Sequence, residues 1–222
     1  MMKNLTGNNS EREIIRANDI LKKLKKEYPA ARIALNFNSP FQLLISTILS
    51  AQCNDERVNI VTKTLFKKYK SPQDFIRLST IELEKEIFST GFYKQKAKNI
   101  KNCCKVLVEK FKSEVPKNFD ELVSLPGVGR KTASVVVGNA FGIPAIAVDT
   151  HVIRLSNLMG FIALESPEKI EERLKELFSK KEWINLGHYL MNHGRNTCIA
   201  RRPKCLSCIV GNLCPSFNPI ER

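Results

Sequence analysis

Apolar residues recur every three to four positions along most of this chain, which is the period of a helix buried on one face. One such stripe follows Ser39 and Pro40 and consists of Phe41, Leu44, Ile45, Ile48 and Leu49. The same period recurs in residues 11–27, 55–69, 72–78, 81–88, 94–111, 119–124, 130–140, 150–159, 167–178 and 183–193. Alternating apolar and polar runs, which are typical of strands, are short and rare. The pattern therefore predicts an all-α protein made of short helices.

Three of these helices begin with a serine followed by a proline, at residues 39, 71 and 166. Serine is a preferred N-cap, and proline fits the first helical position because its missing N–H would have no intrahelical partner there. Ser39 and Gln42 also have the spacing of a capping box, in which each side chain accepts from the other residue's backbone N–H. These pairs predict where the helices start.

The charged residues are unbalanced, because 36 Lys and Arg stand against 22 Asp and Glu, for a formal net charge of +14. A polyanionic partner fits this excess, since each phosphate that is neutralised releases a condensed counterion. Nucleic acid is the leading interpretation, and a ribosomal protein or an anionic membrane surface is the alternative. The sequence has no apolar run of about 18 residues that would predict a membrane span, and its N-terminus lacks a signal-peptide core. We therefore expect an intracellular, reducing compartment.

Four of the seven cysteines lie close together near the end of the chain, where the helical period stops after about residue 194. Cys198, Cys205, Cys208 and Cys214 have the spacing C-x6-C-x2-C-x5-C. Disulfides are rare in a reducing compartment, so a metal centre is the expected way to hold four thiolates. Zinc usually takes two C-x2-C pairs, whereas one pair with long arms suits an iron–sulfur cube, although zinc remains an alternative. The other three cysteines predict core or half-buried positions.

Three basic residues, Arg201, Arg202 and Lys204, lie between the first two of these cysteines. A loop held at both ends by metal ligands would present them in a fixed arrangement that suits a phosphate backbone. They could equally offset the negative charge of the thiolates, and the two roles are compatible.

Residues 125–133, LPGVGRKTA, separate two predicted helices. A dinucleotide-binding loop would need a glycine where Thr132 stands, and a P-loop would need a glycine where Arg130 stands. What remains is a helix, a tight turn and a second helix. Gly127 and Gly129 allow a close approach of backbone, and the second helix begins with N–H groups directed outward. The segment therefore predicts a site for a DNA phosphate.

Lys131 lies almost opposite the apolar face of the second helix, which is made of Ala133, Val136, Val137 and Ala140. The lysine is therefore not a core residue. Arg130 and the positive end of the helix dipole both lie beside its amine and disfavour a further positive charge there. A solvated or phosphate-binding lysine is the plain alternative to a reactive one.

The chain resembles the endonuclease III family of base-excision-repair DNA glycosylases in several motifs that occur in the same order. These motifs are LPGVGRKTA at 125–133, IAVDTHV at 146–152, the cysteine tail, SPFQLL at 39–44 and LSAQ at 49–52. The resemblance covers nearly the whole chain. It implies two helical lobes, namely a barrel of residues 33–143 with a helix–hairpin–helix at about 119–140, and a cluster domain of residues 1–32 plus 144–222. DNA would lie in the cleft between the lobes.

The resemblance also implies the reaction, in which Lys131 attacks the sugar of a damaged pyrimidine of the thymine glycol type. A Schiff base forms, and β-elimination then cleaves the 3′ side of the abasic site. Asp149 would be the second catalytic residue, stabilising positive charge on the sugar and assisting proton transfers. Taken by itself, Asp149 is better interpreted as the N-cap of the next helix, and the two roles are compatible.

Other DNA contacts are implied by the same resemblance. Gln52 would fill the gap left by the extruded nucleotide, and Phe92 would wedge into the duplex. Phe92 stands where the family often has leucine, and residues 53–54 depart from the small or hydroxyl residues common there. Ser50 and His151 would border the lesion pocket. Each of these residues is, in isolation, more often structural.

The implied cofactor is one [4Fe–4S] cluster on the four cysteines, with a cation at the hairpin when DNA is bound. The implied partner is double-stranded DNA with damaged bases or abasic sites, bound by a cytoplasmic, nucleoid-associated monomer with no membrane contact. One alternative is a monofunctional adenine or thymine mismatch glycosylase, which would lack Lys131; the adenine enzyme would also place a glutamate within 41–52. The other is a non-catalytic iron–sulfur module that binds DNA or senses redox state. We expect no C-terminal recognition domain, because the chain ends eight residues after Cys214.

Overall fold

The computed structural model describes residues 4–219, and every regular element in this part of the chain is a helix. The α-helices are α1 Asn4–Glu27, α2 Pro40–Ser50, α3 Asp55–Lys68, α4 Pro72–Arg77, α5 Thr80–Ile87, α6 Tyr93–Phe111, α7 Phe119–Val123, α8 Arg130–Phe141, α9 Thr150–Leu158, α10 Pro167–Leu177 and α11 Trp183–Asn196. Short 3-10 turns occur at Phe88–Thr90, Lys180–Glu182 and Gly211–Leu213. The predicted all-α class is confirmed. The outer ends of the predicted cluster domain, residues 1–3 and 220–222, lie outside the described residues.

The three Ser-Pro helix starts are confirmed. The side chains of Ser39, Ser71 and Ser166 each accept a hydrogen bond from the backbone N–H three residues later. The predicted box at α2 differs in one bond, because the side-chain oxygen of Gln42 accepts from Asn38 N at 2.9 Å. Helix α1 begins seven residues before the predicted start at residue 11. Leu5 is the one large apolar residue in the sequence of residues 4–10, so no apolar period predicts a helix there.

The chain divides into two compact units, which we call the hairpin unit, Ile33–Ile143, and the cysteine unit, Met1–Arg32 with Pro144–Arg222. In the hairpin unit α2 packs against α3, α6 and α8. All positions of this helix from Phe41 to Leu49 except Gln42 are buried, so it is covered on all sides rather than along one stripe. Gln52 lies two residues beyond the end of this central helix, which therefore positions it.

The core of the cysteine unit lies between α1, α9, α10 and α11. Its fully buried residues include Ala17, Ile20, Leu24, Leu155, Ile170, Leu174 and Leu190. Arg16 ties α1 to the turn after α9 and to the cysteine tail, since its guanidinium donates to Met159 O at 2.6 Å, Gly160 O at 2.8 Å and Leu213 O at 3.1 Å. None of the helices within residues 4–219 is both long and apolar enough to cross a bilayer.

Candidate functional site

The hairpin between α7 and α8 is held by local bonds at both ends. Asn118 caps α7, where its side-chain oxygen accepts from the backbone N–H groups of Asp120 and Glu121. The turn closes when Val128 N donates to Leu125 O at 3.1 Å. Leu125 and Val128 are buried, so the turn is anchored on the hydrophobic core while its two glycines stay exposed. The predicted helix–turn–helix is therefore rigidly attached.

The two glycines of this turn differ in how strongly the structure requires a residue without a side chain. Gly127 has φ +79°, and a Cβ built there would lie 2.7 Å from the Cβ of Asn99. Gly129 has an extended backbone, φ −93°, and a Cβ there would meet nothing within 4 Å. Gly127 is thus required by the fold, whereas Gly129 leaves open space beside the start of α8.

Lys131 is exposed in the first turn of α8, on the side away from the buried Ala133, Val136 and Val137. Gly129, the N-cap, has no side chain to bond the first N–H groups of this helix. Such N–H groups and the positive end of the helix dipole form a binding site for an anion. The Arg130 guanidinium lies 5.0 Å from the centre of the Phe119 ring. The exposed start of α8 therefore carries the amine of Lys131, the guanidinium of Arg130 and the uncapped backbone N–H groups. Ala140, predicted on the apolar face, is only half-buried.

Asp149 caps α9, because its Oδ1 accepts from Val152 N at 2.9 Å. The side chain is half-buried. His188, on α11, interacts electrostatically with this carboxylate. Burial lowers the pKa of His188, and the negative charge of Asp149 opposes that shift. His188 was not among the residues singled out from the sequence, where a histidine within an apolar helix looks like an ordinary core residue.

His151 and Ser50, the predicted lesion-pocket residues, both have structural surroundings. His151 is half-buried, and α11 packs closely on it, since a Cβ on Gly194 would lie 2.7 Å from His151 Nδ1. The Ser50 hydroxyl donates to Thr47 O at 2.9 Å at the end of α2. Their place in a lesion pocket stays a prediction.

Gln52 and Phe92 share an unusual backbone conformation. Gln52 has φ +53° and Phe92 has φ +50°, both in the left-handed region that residues with a Cβ rarely adopt. Both side chains are exposed, Phe92 by 63% although it is a large apolar residue. Their two segments are connected by the buried side chain of Lys96, which the sequence reasoning missed. A signal was present, because Lys96 precedes Ile100 by four positions and so falls on the buried face of α6.

All four tail cysteines line one cavity of about 220 Å³ in the cysteine unit. Burial, together with the neighbouring thiols, raises the pKa of Cys208 and of Cys214. Within residues 4–219, no three metal-binding side chains are gathered as a single ion would require. Around the cavity, Arg154 Nη1 lies 3.7 Å from Cys198 Sγ, and His193 Nε2 lies 3.6 Å from Cys208 Sγ.

The tail is more than the ligand-organised loop that the sequence predicts. Val210 is 1% exposed and belongs to the hydrophobic core, and the side chains of Ile209 and Leu213 pack against that core. The three remaining cysteines agree with their prediction, because Cys103 and Cys104 are buried and Cys53 is half-buried. The core contacts hold the tail from one side.

The basic residues of the tail, Arg201, Arg202 and Lys204, are exposed. Their loop is closed by a backbone bond from Lys204 N to Thr197 O at 2.9 Å. The three cations are thus presented to solvent on a loop whose two ends are bonded to each other.

Comparison with known proteins gives consistent results. Residues 45–180 match the family described as HhH-GPD superfamily base excision DNA repair protein. Endonuclease III of Synechocystis sp. is 48% identical over 202 residues, which are 90% of this chain and 92% of that protein. Endonuclease III of Bacillus subtilis is 46% identical over 195 residues, 87% of this chain and 89% of that protein.

Solved structures give the same result. A trapped covalent intermediate of endonuclease III with DNA has a TM-score of 0.89 at 45% identity, covering 92% of this chain and 96% of that one. A thermostable thymine-DNA glycosylase is less similar, with a TM-score of 0.77 at 25% identity over 91% and 96% of the two chains. On sequence and fold together, the chain belongs to the endonuclease III family within the HhH-GPD superfamily of base excision DNA repair proteins.

Proposed function

We propose that this protein removes oxidised pyrimidines from duplex DNA and then cleaves the abasic strand, with Lys131 as the nucleophile. Its family makes it a base excision repair enzyme with DNA glycosylase and AP lyase activity. The observation that carries the assignment to Lys131 is its position. It is an exposed amine in the first turn of α8, beside backbone N–H groups that no side chain caps. A DNA phosphate bound at those groups would bring the neighbouring sugar to the amine.

In the proposed reaction the neutral Lys131 amine attacks C1′ of the damaged nucleotide. The glycosidic bond breaks, and the base leaves with a proton. The attached amine passes one proton to the ring oxygen O4′ as the C1′–O4′ bond breaks, which opens the sugar and forms the protonated Schiff base. Removal of a proton from C2′ then expels the 3′ phosphate. A relative has been captured as a covalent intermediate with DNA, which supports this route.

Asp149 is proposed as the second catalytic group. Its Oδ1 is oriented by the bond from Val152 N, so the carboxylate is held in one direction by its own helix. A fixed negative charge would stabilise the positive charge that develops on the sugar as the base leaves. The carboxylate would also accept and return protons during the later steps. The cap bond therefore serves to orient the catalytic group.

DNA binding is proposed to involve three groups of residues. Gly127, Gly129 and Arg130 would bind the backbone at the hairpin, with a cation completing that site when DNA is bound. Gln52 and Phe92 would enter the duplex, and Ser50 and His151 would border the extruded base. Arg201, Arg202 and Lys204 would bind a further stretch of phosphates. All of these contacts require the residues to be exposed or half-exposed, as they are here.

The four tail cysteines are proposed to hold one [4Fe–4S] cluster. The donor set fits this group, because four thiols line one cavity while no three of the described ligands converge on a single ion. Burial and mutual repulsion raise the pKa of Cys208 and Cys214, and a positive metal centre would reverse that shift. When bound, the cluster would supply the charge that holds the thiolates together. We further propose that the enzyme works as a monomer on chromosomal DNA in the cytoplasm.

Borohydride trapping on an oligonucleotide with thymine glycol or an abasic site tests the proposal. Wild-type protein should form a covalent adduct, which Lys131→Ala should abolish. Lys105→Ala, at an exposed lysine of α6, is the matched control and should trap as the wild type does. An undiminished adduct in Lys131→Ala would overturn the nucleophile assignment. Base release without any adduct would indicate a monofunctional glycosylase, and the absence of both would indicate a non-catalytic module.

A further inference from the structure

Lys96 is a buried lysine whose ammonium group joins two separate segments of the hairpin unit. Only 4% of its surface is exposed. Its Nζ donates to Leu49 O at 2.7 Å and to Thr90 O at 2.8 Å. Burial lowers the pKa of this amine, because the charged form loses its hydration there. An ammonium group that loses its hydration needs hydrogen-bond acceptors in the protein, and Lys96 has one in each of the two segments.

The two acceptors lie two or three residues before Gln52 and Phe92, which both have a left-handed backbone. Leu49 is in the last turn of α2, whose final carbonyls have no intrahelical partner and form the negative end of the helix. Three residues later comes Gln52. Thr90 ends the 3-10 turn, and Phe92 follows two residues later. One ammonium group therefore fixes the start of both segments that carry the exposed residues.

The left-handed backbone of Gln52 and Phe92 is energetically unfavourable, because the Cβ of any residue other than glycine disfavours φ near +50°. Each strained position persists only where its neighbours hold the chain in place. The bonds of Lys96 are the direct connection between the two segments. Without them the carbonyls of Leu49 and Thr90 would lose this donor, and the two segments would no longer be held by one side chain.

We propose that Lys96 is a positioning residue for base extrusion, which sets the spacing of Gln52 and Phe92 without touching the DNA. This inference rests on the proposed function, in which those two side chains enter the duplex. A positioning role of this kind would affect extrusion of the base but not the attack of Lys131 on the sugar. Extrusion from a duplex requires both residues at the right spacing, whereas attack of Lys131 on an abasic sugar in a single strand requires neither.

Lys101 provides a matched control from the same helix. Its Nζ also donates to two backbone carbonyls, Ile76 O and Leu78 O, which lie at the end of α4. Lys96→Met and Lys101→Met therefore remove the same kind of interaction. Only the first removes it from the segments with Gln52 and Phe92.

The test compares single-turnover excision of thymine glycol from a duplex with borohydride trapping on a single-stranded abasic oligonucleotide. Lys96→Met should slow duplex excision at least tenfold while single-strand trapping stays within about twofold of the wild type. Lys101→Met should leave the ratio of the two rates unchanged. A 2-aminopurine placed opposite the lesion should brighten on binding of the wild type and of Lys101→Met, but not of Lys96→Met. Equal losses in both assays for Lys96→Met, or equal ratios in the two variants, would overturn the proposal.

A double-mutant cycle covers the case in which Lys96→Met is poorly folded. In a background carrying Gln52→Ala and Phe92→Ala, removing Lys96 should cost little further duplex excision, because its targets are already gone. Fully additive losses would mean that Lys96 supports the fold in general and would refute its positioning role. A wild type that neither excises nor traps would instead refute the proposed function, so the two failures are distinct.

Discussion

Gly127 and Asn99 approach so closely that a Cβ at position 127 would overlap the Cβ of Asn99 at 2.7 Å. The contact fixes the hairpin turn to α6, and the φ of +79° at Gly127 adds a second reason for glycine. Gly129, two residues away, has neither constraint. The two glycines of one motif therefore serve different purposes, one for the fold and one for access to the start of α8.

Substituting these glycines separately should distinguish the two purposes. Gly127→Ala should lower the free energy of unfolding by about 1–3 kcal/mol, because it adds both a clash and a strained backbone. Gly129→Ala should cost less than about 1 kcal/mol, yet it should weaken binding to duplex DNA by covering the open N–H groups. Urea unfolding and fluorescence anisotropy measure the two effects. Equal destabilisation by both changes would contradict the distinction.

Asp149 allows its cap role to be separated from its catalytic role. Asparagine caps a helix about as well as aspartate, so Asp149→Asn should leave stability nearly unchanged, whereas Asp149→Ala should cost about 0.5–2 kcal/mol. Both variants lose the negative charge and should lower the rate of base excision by about 10²–10⁴-fold. Unfolding curves and single-turnover kinetics test this. If Asp149→Asn kept full activity, Asp149 would be a helix cap and nothing more.

The titration of His188 should report the charge on Asp149. Burial lowers the pKa of His188 from its ordinary value of 6.5, so the unfolded chain takes up this proton at a higher pH than the folded one. The stability linked to His188 is therefore complete above about pH 6.5 and decreases as pH falls toward the lowered pKa. Asp149→Asn should lower the pKa of His188 further, because it removes the charge that favours the imidazolium. An NMR titration in which that pKa stayed the same or rose would contradict the assignment.

The exposed cations of the tail loop should contribute to DNA binding by neutralising phosphates. Replacing Arg201 and Arg202 with alanine should reduce the slope of log K against log salt by about 0.9 for each phosphate that the loop no longer neutralises. Lys180→Ala with Lys181→Ala removes the same charge from an exposed 3-10 turn and is the control. The loop would have no part in binding if both pairs changed the slope equally.

A structural feature can be predicted from the sequence when the residues that form it lie close together along the chain. The start of α4 was predictable because Ser71 bonds Asp74, three residues away. The burial of Lys96 could be predicted from its place on the apolar face of α6, but its partners could not, because one acceptor is the backbone carbonyl of Leu49, 47 positions earlier, and a carbonyl has no sequence signature. The left-handed backbone of Gln52 was equally unpredictable, since that conformation is typical of glycine and asparagine rather than glutamine.

The candidate site follows the same rule. Cys198 through Cys214 were predicted as one set because spacing alone groups them, and the structure places all four around one cavity. The packing of Val210 into the core was not predicted, because a single apolar residue in a cysteine-rich stretch has no period. The proximity of His188 to Asp149 depends on how α11 packs against α9, which only the folded chain determines.

Removing one tail cysteine should release the cluster. The purified wild type should be yellow-brown with a broad visible absorption and should contain about four iron atoms for each chain. Cys208→Ser should lose most of that absorption, and the cysteine unit should become less stable, because it loses the free energy that binding of the metal centre contributes to folding. Cys103→Ser, at a buried cysteine of the hairpin unit, is the control and should keep its colour. A colourless wild type that contains zinc would refute the cluster, and the cavity would then have to close around a single ion.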